Sequence, residues 1–162
     1  MYKKLKWEEN YQKNIESGLF MEKMSSYLTG RHVKFVDCQQ CLKTLKFVDG
    51  GGWEYDHGFF DRVLDEQHTL FLRLPFRVEI GRLDVEETLQ DTVIVFDEPF
   101  VLLHLYQEGN DDTAKARIVA APFDQFQAPI DRDAPLQREQ IESARDALVE
   151  TERALNKFFN LT

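Results

Sequence analysis

The clearest periodic pattern in the sequence lies between residues 70 and 80. Apolar residues occupy every second position of this run: Leu70, Leu72, Leu74, Phe76, Val78 and Ile80. Several alternate positions carry charged side chains: Arg73, Arg77 and Glu79. This period of two predicts a long strand with one buried and one solvated face, as is typical of an antiparallel sheet. Pro75 removes a backbone donor from the run, so an edge strand or a bulge is expected there.

Shorter apolar runs predict further strands on both sides of the long one. Residues 59–64 form a strand that a polar turn at residues 65–68 connects to the long strand. Residues 33–36 predict a short strand, and a further strand is expected near residues 117–121. Residues 93–96 are apolar throughout, which favours a central strand.

Other segments follow the spacing of a helix. Asp37 caps a helix that carries Cys38 and Cys41 on its apolar stripe, and three glycines at residues 50–52 follow it. Residues 136–159 predict an amphipathic helix of about six turns. Residues 97–109 fit a strand or a helix, and Pro99 near the start with Gly109 after the end favours a short helix.

These elements predict an α+β fold. We expect a mostly antiparallel sheet of about five strands, with helices packed on one side and a prominent long C-terminal helix. The apolar spacing of residues 1–30, with Gly30 at a C-cap position, predicts an N-terminal amphipathic helical extension. Residues 31–162 are then a single α+β domain, which suits a chain of 162 residues.

Composition excludes several classes of partner. The chain has 20 Lys and Arg against 29 Asp and Glu, a net charge of -9, which argues against nucleic acid because phosphate contacts need clustered cations. Its apolar runs fall far short of the ~20 residues of a membrane helix, and its start lacks the apolar region of a signal peptide. Two cysteines three positions apart cannot build a disulfide framework. We expect a cytoplasmic protein that binds neither nucleic acid nor membrane.

Most motifs that could support catalysis or metal binding are incomplete. Cys38 and Cys41 form a CxxC that could support redox chemistry or half of a zinc site, but no second CxxC or histidine pair completes it, so they are better explained as small core residues. Acidic residues at 108–112 lack calcium-loop spacing and suit a solvated turn. The chain has no glycine-rich phosphate loop and no nucleophile elbow. We assign no catalytic residue, metal or cofactor.

The segment from residue 53 to residue 61 is the best candidate for a ligand site. Trp53 and Tyr55 lie two positions apart, so in an extended chain both rings project to one face. Asp56 and His57 would stand beside them at the lip of a concave site, with Arg73 or Arg77 as an anion partner. The alternative is that both rings close the edge of the core.

Ordered blocks along the chain resemble the YugN-like family of small Bacillus-type proteins. The resemblance covers roughly residues 26–155, in these blocks: residues 51–61, 71–76, 81–84, 99–100 with 104–107, and 123–127. It implies a small cytoplasmic α+β domain without established activity, and it supplies no catalytic residues. The cysteines fall outside the blocks, which favours their structural role.

Two classes of function follow. The first is a non-catalytic module that binds a small ligand or a protein, with a homodimer as the partner hypothesis because Phe71 lies on the otherwise polar face of the long strand. The alternative is a small enzyme that uses His57 and carboxylates of the 53–61 segment, with Asp111 and Asp112, for acid–base chemistry.

Overall fold

The computed structural model describes residues 19–50, 56–104 and 136–161. These residues form seven strands, two α-helices and one 3-10 helix. In chain order the elements are β1 (Leu19–Lys23), β2 (His32–Lys34), α1 (Phe35–Thr44), β3 (Val48–Asp49), β4 (His57–Val63), β5 (Leu70–Ile80), the 3-10 helix (Glu86–Asp91), β6 (Val93–Phe96), β7 (Phe100–His104) and α2 (Arg138–Phe159).

The strands form one sheet in which every pairing is antiparallel. Its order is β1-β7-β5-β4-β3 at one end, while β6 and then β2 extend the sheet from the other half of β5. The predicted α+β class, antiparallel sheet and long C-terminal helix are confirmed. Among the described residues the sheet has seven strands rather than about five.

Pro75 does not mark an edge, because β5 is the central strand. β4 pairs along most of one side of β5, while on the other side β7 pairs up to Arg73 and β6 begins at Phe76. Pro75 lies where one neighbour ends and the next begins, and its carbonyl accepts a hydrogen bond from the backbone of Asp97 (2.9 Å). The nitrogen of a strand residue points to the same side as its carbonyl, so the missing donor falls in this gap.

One face of the sheet carries the hydrophobic core, and we call it the first face. The alternating residues of β5 from Leu70 to Phe76 are buried there. α1 contributes Phe35, whose ring centroid lies 6.0 Å from that of Phe60 and 5.9 Å from that of Phe76. α2 adds Ala144, Ala147, Leu148 and Leu155 to the same cluster. Both α-helices therefore cover the first face, and we call the opposite side the second face.

Two helix predictions are wrong within the described residues. Residues 19–23 form β1 and residues 27–30 form a turn, so Gly30 ends no helix, and β1 belongs to the main sheet. Residues 100–104 form β7, where Val101 and Leu103 face the core while Leu102 lies on the second face. Apolar residues on both faces hide the period of a strand. Pairing of β7 with β1 and β5 on its two sides decides the structure.

Some predictions fall outside the described residues. These are the predicted helix over residues 1–18, the strand near residues 117–121, and residues 105–109 of the predicted short helix. The helices that are described include none with the length and apolar character needed to cross a membrane.

Candidate functional site

The described residues of the predicted site lie on β4 and β5 or next to them. Asp56 directly precedes β4, His57 is its first residue, and Arg73 lies in the middle of β5. His57 and Arg73 both project from the second face, since their positions alternate with the buried core positions. Trp53 and Tyr55 lie outside the described residues.

Asp56 and His57 form a polar pair that the sheet holds in place. The carbonyl of Asp56 accepts a hydrogen bond from the backbone N–H of Val78 on β5 (2.7 Å). His57 Nδ1 and Asp56 Oδ1 are 2.7 Å apart, and because a carboxylate only accepts, Nδ1 donates. Both side chains are about half exposed. The backbone is thus fixed while the imidazole and carboxylate remain accessible to a ligand.

The arginine beside His57 is Arg77. The two residues are direct partners across β4 and β5. Arg77 Nε donates to Asp97 Oδ1 (2.9 Å), and this hydrogen bond together with the charge of Asp97 raises the pKa of Arg77, with a further contribution from Glu79. Its charge is therefore already compensated by neighbouring carboxylates.

Arg73 lies farther along the second face and binds a carboxylate that the sequence analysis missed. Its Nε and Nη2 donate to Asp61 Oδ1 (2.8 Å) and Oδ2 (2.7 Å). The guanidinium carbon lies 3.6 Å from the centroid of the Phe59 ring and 5.9 Å from that of Phe100. Arg73 binds both oxygens of Asp61 and thereby links β5 to β4. An anionic ligand would have to compete with Asp61 for the guanidinium of Arg73.

The pairing of Asp61 with Arg73 had a signal in the sequence. Both strands and the turn between them were predicted, and a hairpin folded symmetrically about residue 67 places residue 61 opposite residue 73. Counting the register from the turn would have shown a carboxylate and a guanidinium on neighbouring strands. The alternation within β5 does not reveal this pair by itself.

A shallow cleft of about 410 Å³ lies between the end of β4 and α2. Its lining residues are Arg62, Val63, Leu64, Ser143, Asp146, Ala147 and Glu150. Arg62 Nη1 donates to Glu150 Oε2 (2.7 Å) across it. None of the predicted site residues lines this cleft. No sequence pattern indicates this cleft, because the strand and the helix are about 80 residues apart along the chain.

The two cysteines occupy the core, as predicted. Cys38 and Cys41 are both buried and both are free thiols. Burial raises the pKa of the Cys38 thiol well above its usual value, helped by the nearby Cys41 and Asp37, and burial also raises the pKa of Cys41. Raised pKa values leave little nucleophilic thiolate. Within the part of the chain that the structure describes, no three His, Cys, Asp or Glu side chains converge in a way that could hold a metal.

Comparisons with known proteins agree with the fold and its family resemblance. A profile of the YugN-like family matches residues 23–155. The chain is 35% identical over 112 residues to "Uncharacterized protein YugN" of Bacillus subtilis (strain 168), which covers 68% of this chain and 81% of that protein. The crystal structure of the uncharacterized conserved protein YugN from Geobacillus kaustophilus HTA426 superposes with a TM-score of 0.58 at 17% identity, covering 83% of this chain and 95% of that one. The profile match spans most of the sequence, including the whole sheet from the end of β1, and this chain therefore belongs to the YugN-like family.

Proposed function

We propose that this protein is a non-catalytic binding module whose small-ligand site lies on the second face, at the start of β4. The site residues are those expected from the sequence, Trp53, Tyr55, Asp56, His57 and Arg73, together with Arg77, the other arginine considered there. The observation that carries the proposal is the pairing of His57 with Arg77 beside the Asp56 carboxylate, on a backbone that β5 holds in place.

Charge at this end of the sheet selects the class of ligand. Asp97 and Glu79 act on the charge of Arg77, and Asp56 binds the neighbouring His57, so carboxylates outnumber the arginine even though Glu79 also contacts His32 (2.9 Å). An anion would meet net repulsion here. A small molecule with an aromatic body and an ammonium group would place its charge among the carboxylates and its ring against apolar side chains such as Phe59. This ligand differs from the anion suggested by Arg73 and Arg77 in the sequence alone.

A thermal-shift experiment with matched probes tests this proposal. Tryptamine and indole-3-acetate share a ring and differ in the sign of their charge. We expect tryptamine to raise the melting temperature of the protein and indole-3-acetate to leave it unchanged. A ligand at 100 times its Kd adds about 2.7 kcal/mol of stability, which is several degrees for a chain of this size.

Two variants locate the binding. Asp56→Asn and His57→Ala should each remove most of the shift with tryptamine while changing the melting temperature of the free protein little, because surface ion pairs contribute little to stability. Glu66→Gln, in the exposed turn between β4 and β5, is the matched control and should keep the full shift. Binding that survives both site variants would place the ligand elsewhere, and equal shifts with both probes would refute the charge argument.

Acid–base catalysis by Asp56 and His57 is the second candidate, and their 2.7 Å hydrogen bond is the observation that favours it. The remote carboxylates named in the sequence analysis, Asp111 and Asp112, lie outside the described residues. Mass spectrometry of each bound probe after prolonged incubation separates the two functions. An unchanged probe supports the binding module, and a product that disappears in His57→Ala supports the enzyme.

We also propose that the protein is located in the cytoplasm. Two free thiols within a folded core suit a reducing compartment, where disulfides are rare. Localisation of a tagged full chain by cell fractionation checks this point, with recovery outside the cytoplasmic fraction as the contrary result.

A further inference from the structure

The shallow cleft between β4 and α2 exists because small side chains of α2 face the end of the central hairpin. Ser143 and Ala147 lie about one turn apart on the same side of the helix, and both line the cleft. Asp146 and Glu150 line it as well, again four positions apart. The serine and the alanine leave space that larger side chains would fill, and the resulting cavity has a volume of about 410 Å³. This volume lies within the range of small-molecule sites, about 300–1,000 Å³.

Hydrogen bonds hold the strand side of the cleft in a fixed conformation. Leu64 directly follows β4, and its backbone N–H donates to the carbonyl of Leu70 (2.8 Å). The carboxylate of Asp65 accepts hydrogen bonds from the backbone N–H groups of Thr69 and Leu70 (both 2.9 Å). These bonds close the turn between β4 and β5, so this wall of the cleft is formed before a ligand binds, which lowers the cost of binding.

Arg62 is a charged residue on the first face, which the helices cover. Its cross-strand partner is the core residue Leu72, and the side chain of Arg62 is only 21% exposed. Its Nη1 donates to Glu150 Oε2 (2.7 Å), and this is the one hydrogen bond that Arg62 makes to a described residue. A guanidinium has five N–H donors, so others remain for a carboxylate of a ligand in the cleft.

Asp146 gives the cleft a surplus of negative charge. It is exposed on α2, and its carboxylate has no hydrogen bond or ion pair with any residue in the described ranges. Glu150 balances the charge of Arg62, so Asp146 is left uncompensated. An anion alone would meet repulsion here, whereas an ammonium group would bind the carboxylate of Asp146.

We propose that this cleft binds a free α-amino acid with an apolar side chain. The α-carboxylate accepts hydrogen bonds from the remaining donors of Arg62, and the α-ammonium group binds Asp146. The apolar side chain lies on the apolar part of the lining, which consists of Val63, Leu64 and Ala147. A zwitterion satisfies both charged groups and adds no net charge to the cleft. This site is separate from the proposed ligand site, none of whose described residues lines the cleft.

NMR titration of the isotope-labelled full chain with three matched probes tests the site. L-leucine carries both charges, leucinamide carries only the ammonium group, and N-acetyl-leucine carries only the carboxylate. We expect L-leucine to give saturable shifts of the backbone amides at residues 62–64 and 143–150. The other two probes should bind at least about 10-fold more weakly, because each leaves one charged group of the cleft without its partner.

Two variants assign the contacts to the two charged groups of the ligand. Arg62→Gln should weaken the binding of L-leucine by about 10-fold or more and leave that of leucinamide, which has no carboxylate, unchanged. Asp146→Asn should weaken L-leucine to a similar extent and leave N-acetyl-leucine, which has no ammonium group, unchanged. Glu139→Gln is the matched control, since Glu139 is an exposed carboxylate of α2 that does not line the cleft. It should keep the affinity of the unmodified protein for all three probes.

A steric variant tests the cavity without altering a charge. Ser143 is exposed, so Ser143→Phe should fold normally, while its ring fills the cleft and prevents saturable shifts with L-leucine. Equal affinity for the three probes, or L-leucine binding that persists in Ser143→Phe, overturns the proposal. The absence of saturable shifts at residues 62–64 and 143–150 does so too. Binding of tryptamine near Asp56 and His57 is independent of these results, so the two proposals fail separately.

Discussion

At the scale of single residues, the pair formed by Arg73 and Asp61 is a doubly hydrogen-bonded contact on the second face. Two hydrogen bonds, of 2.8 and 2.7 Å, join the two side chains between β5 and β4. The Phe59 ring lies against the guanidinium and limits its access to water. Removal of the carboxylate would leave a partly desolvated cation without its partner, which costs more than the loss of an exposed pair.

We expect Asp61→Asn to lower the free energy of unfolding by about 2 kcal/mol, because Asn keeps the volume but not the charge. Urea unfolding followed by circular dichroism measures this. Glu142→Gln is the control, since it breaks the exposed bond between Glu142 and Arg138 on α2 and should change stability little. Equal stability of Asp61→Asn and the unmodified protein would show that water solvates the Arg73 guanidinium as well as the carboxylate of Asp61 does.

At the scale of elements, the end of β5 depends on a glycine. Gly81 follows the strand with φ of +88°, a conformation that other residues adopt at a cost. A Cβ at this position would lie 2.5 Å from Thr92 Oγ1. Thr92 is fully buried, and its hydroxyl donates to the carbonyl of Thr88 (2.9 Å), so it cannot move away without breaking that bond.

Gly30 provides a matched comparison for Gly81. Its φ is +80°, but a Cβ there would meet no atom within 4 Å. We expect Gly30→Ala to cost about 1 kcal/mol from backbone strain alone. Gly81→Ala should cost about 1–3 kcal/mol more, because Thr92 must also shift. Urea unfolding of the two variants checks the difference, and equal losses would contradict the steric argument.

Elements that a local pattern defines were predictable from the sequence. β5 was predicted with its observed limits, because six apolar residues alternate over its length. The long helix α2 was predicted because its apolar stripe extends over about six turns. β1 and β7 were not predicted, since short runs with apolar residues on both faces carry no distinctive period.

At the scale of the whole molecule, the buried thiols link folding to alkaline pH. Burial raises the pKa of Cys38 and of Cys41, so the folded state keeps their protons at a pH where the unfolded chain has released them. The resulting stability is fully present below the unfolded thiol pKa of about 8.5 and is lost as pH rises. We expect the free energy of unfolding to fall from pH 8 to 9.5, by at most about 1.4 kcal/mol per pH unit for each thiol. Urea unfolding under reducing conditions measures this slope.

A variant without both thiols isolates their contribution. The double variant with Cys38→Ala and Cys41→Ala should be less stable at pH 7, because two buried side chains become smaller, but its stability should fall less steeply above pH 8. A slope as steep as that of the unmodified protein would assign the alkaline loss to other groups. Fast labelling of both thiols in the folded protein would also contradict their burial.

Only part of the candidate site could be predicted, because its residue types are visible in the sequence whereas its geometry depends on how the strands pair. The sequence drew attention to Asp56 and His57 through the residue types that surround them. The alternation of residues does not show that Arg77, rather than Arg73, lies opposite His57, because this follows only when the register between β4 and β5 is counted from the turn.

The class of the fold, the central hairpin, α1 with its buried cysteines, and α2 could all be predicted from the sequence. Each of these follows from the spacing of apolar residues within one continuous segment. Pairing between distant segments makes strands of residues 19–23 and 100–104 and places Met21 and Leu102 in line with Phe71. These features depend on hydrogen bonds and contacts between segments distant along the chain, and the spacing within one segment does not specify its partner.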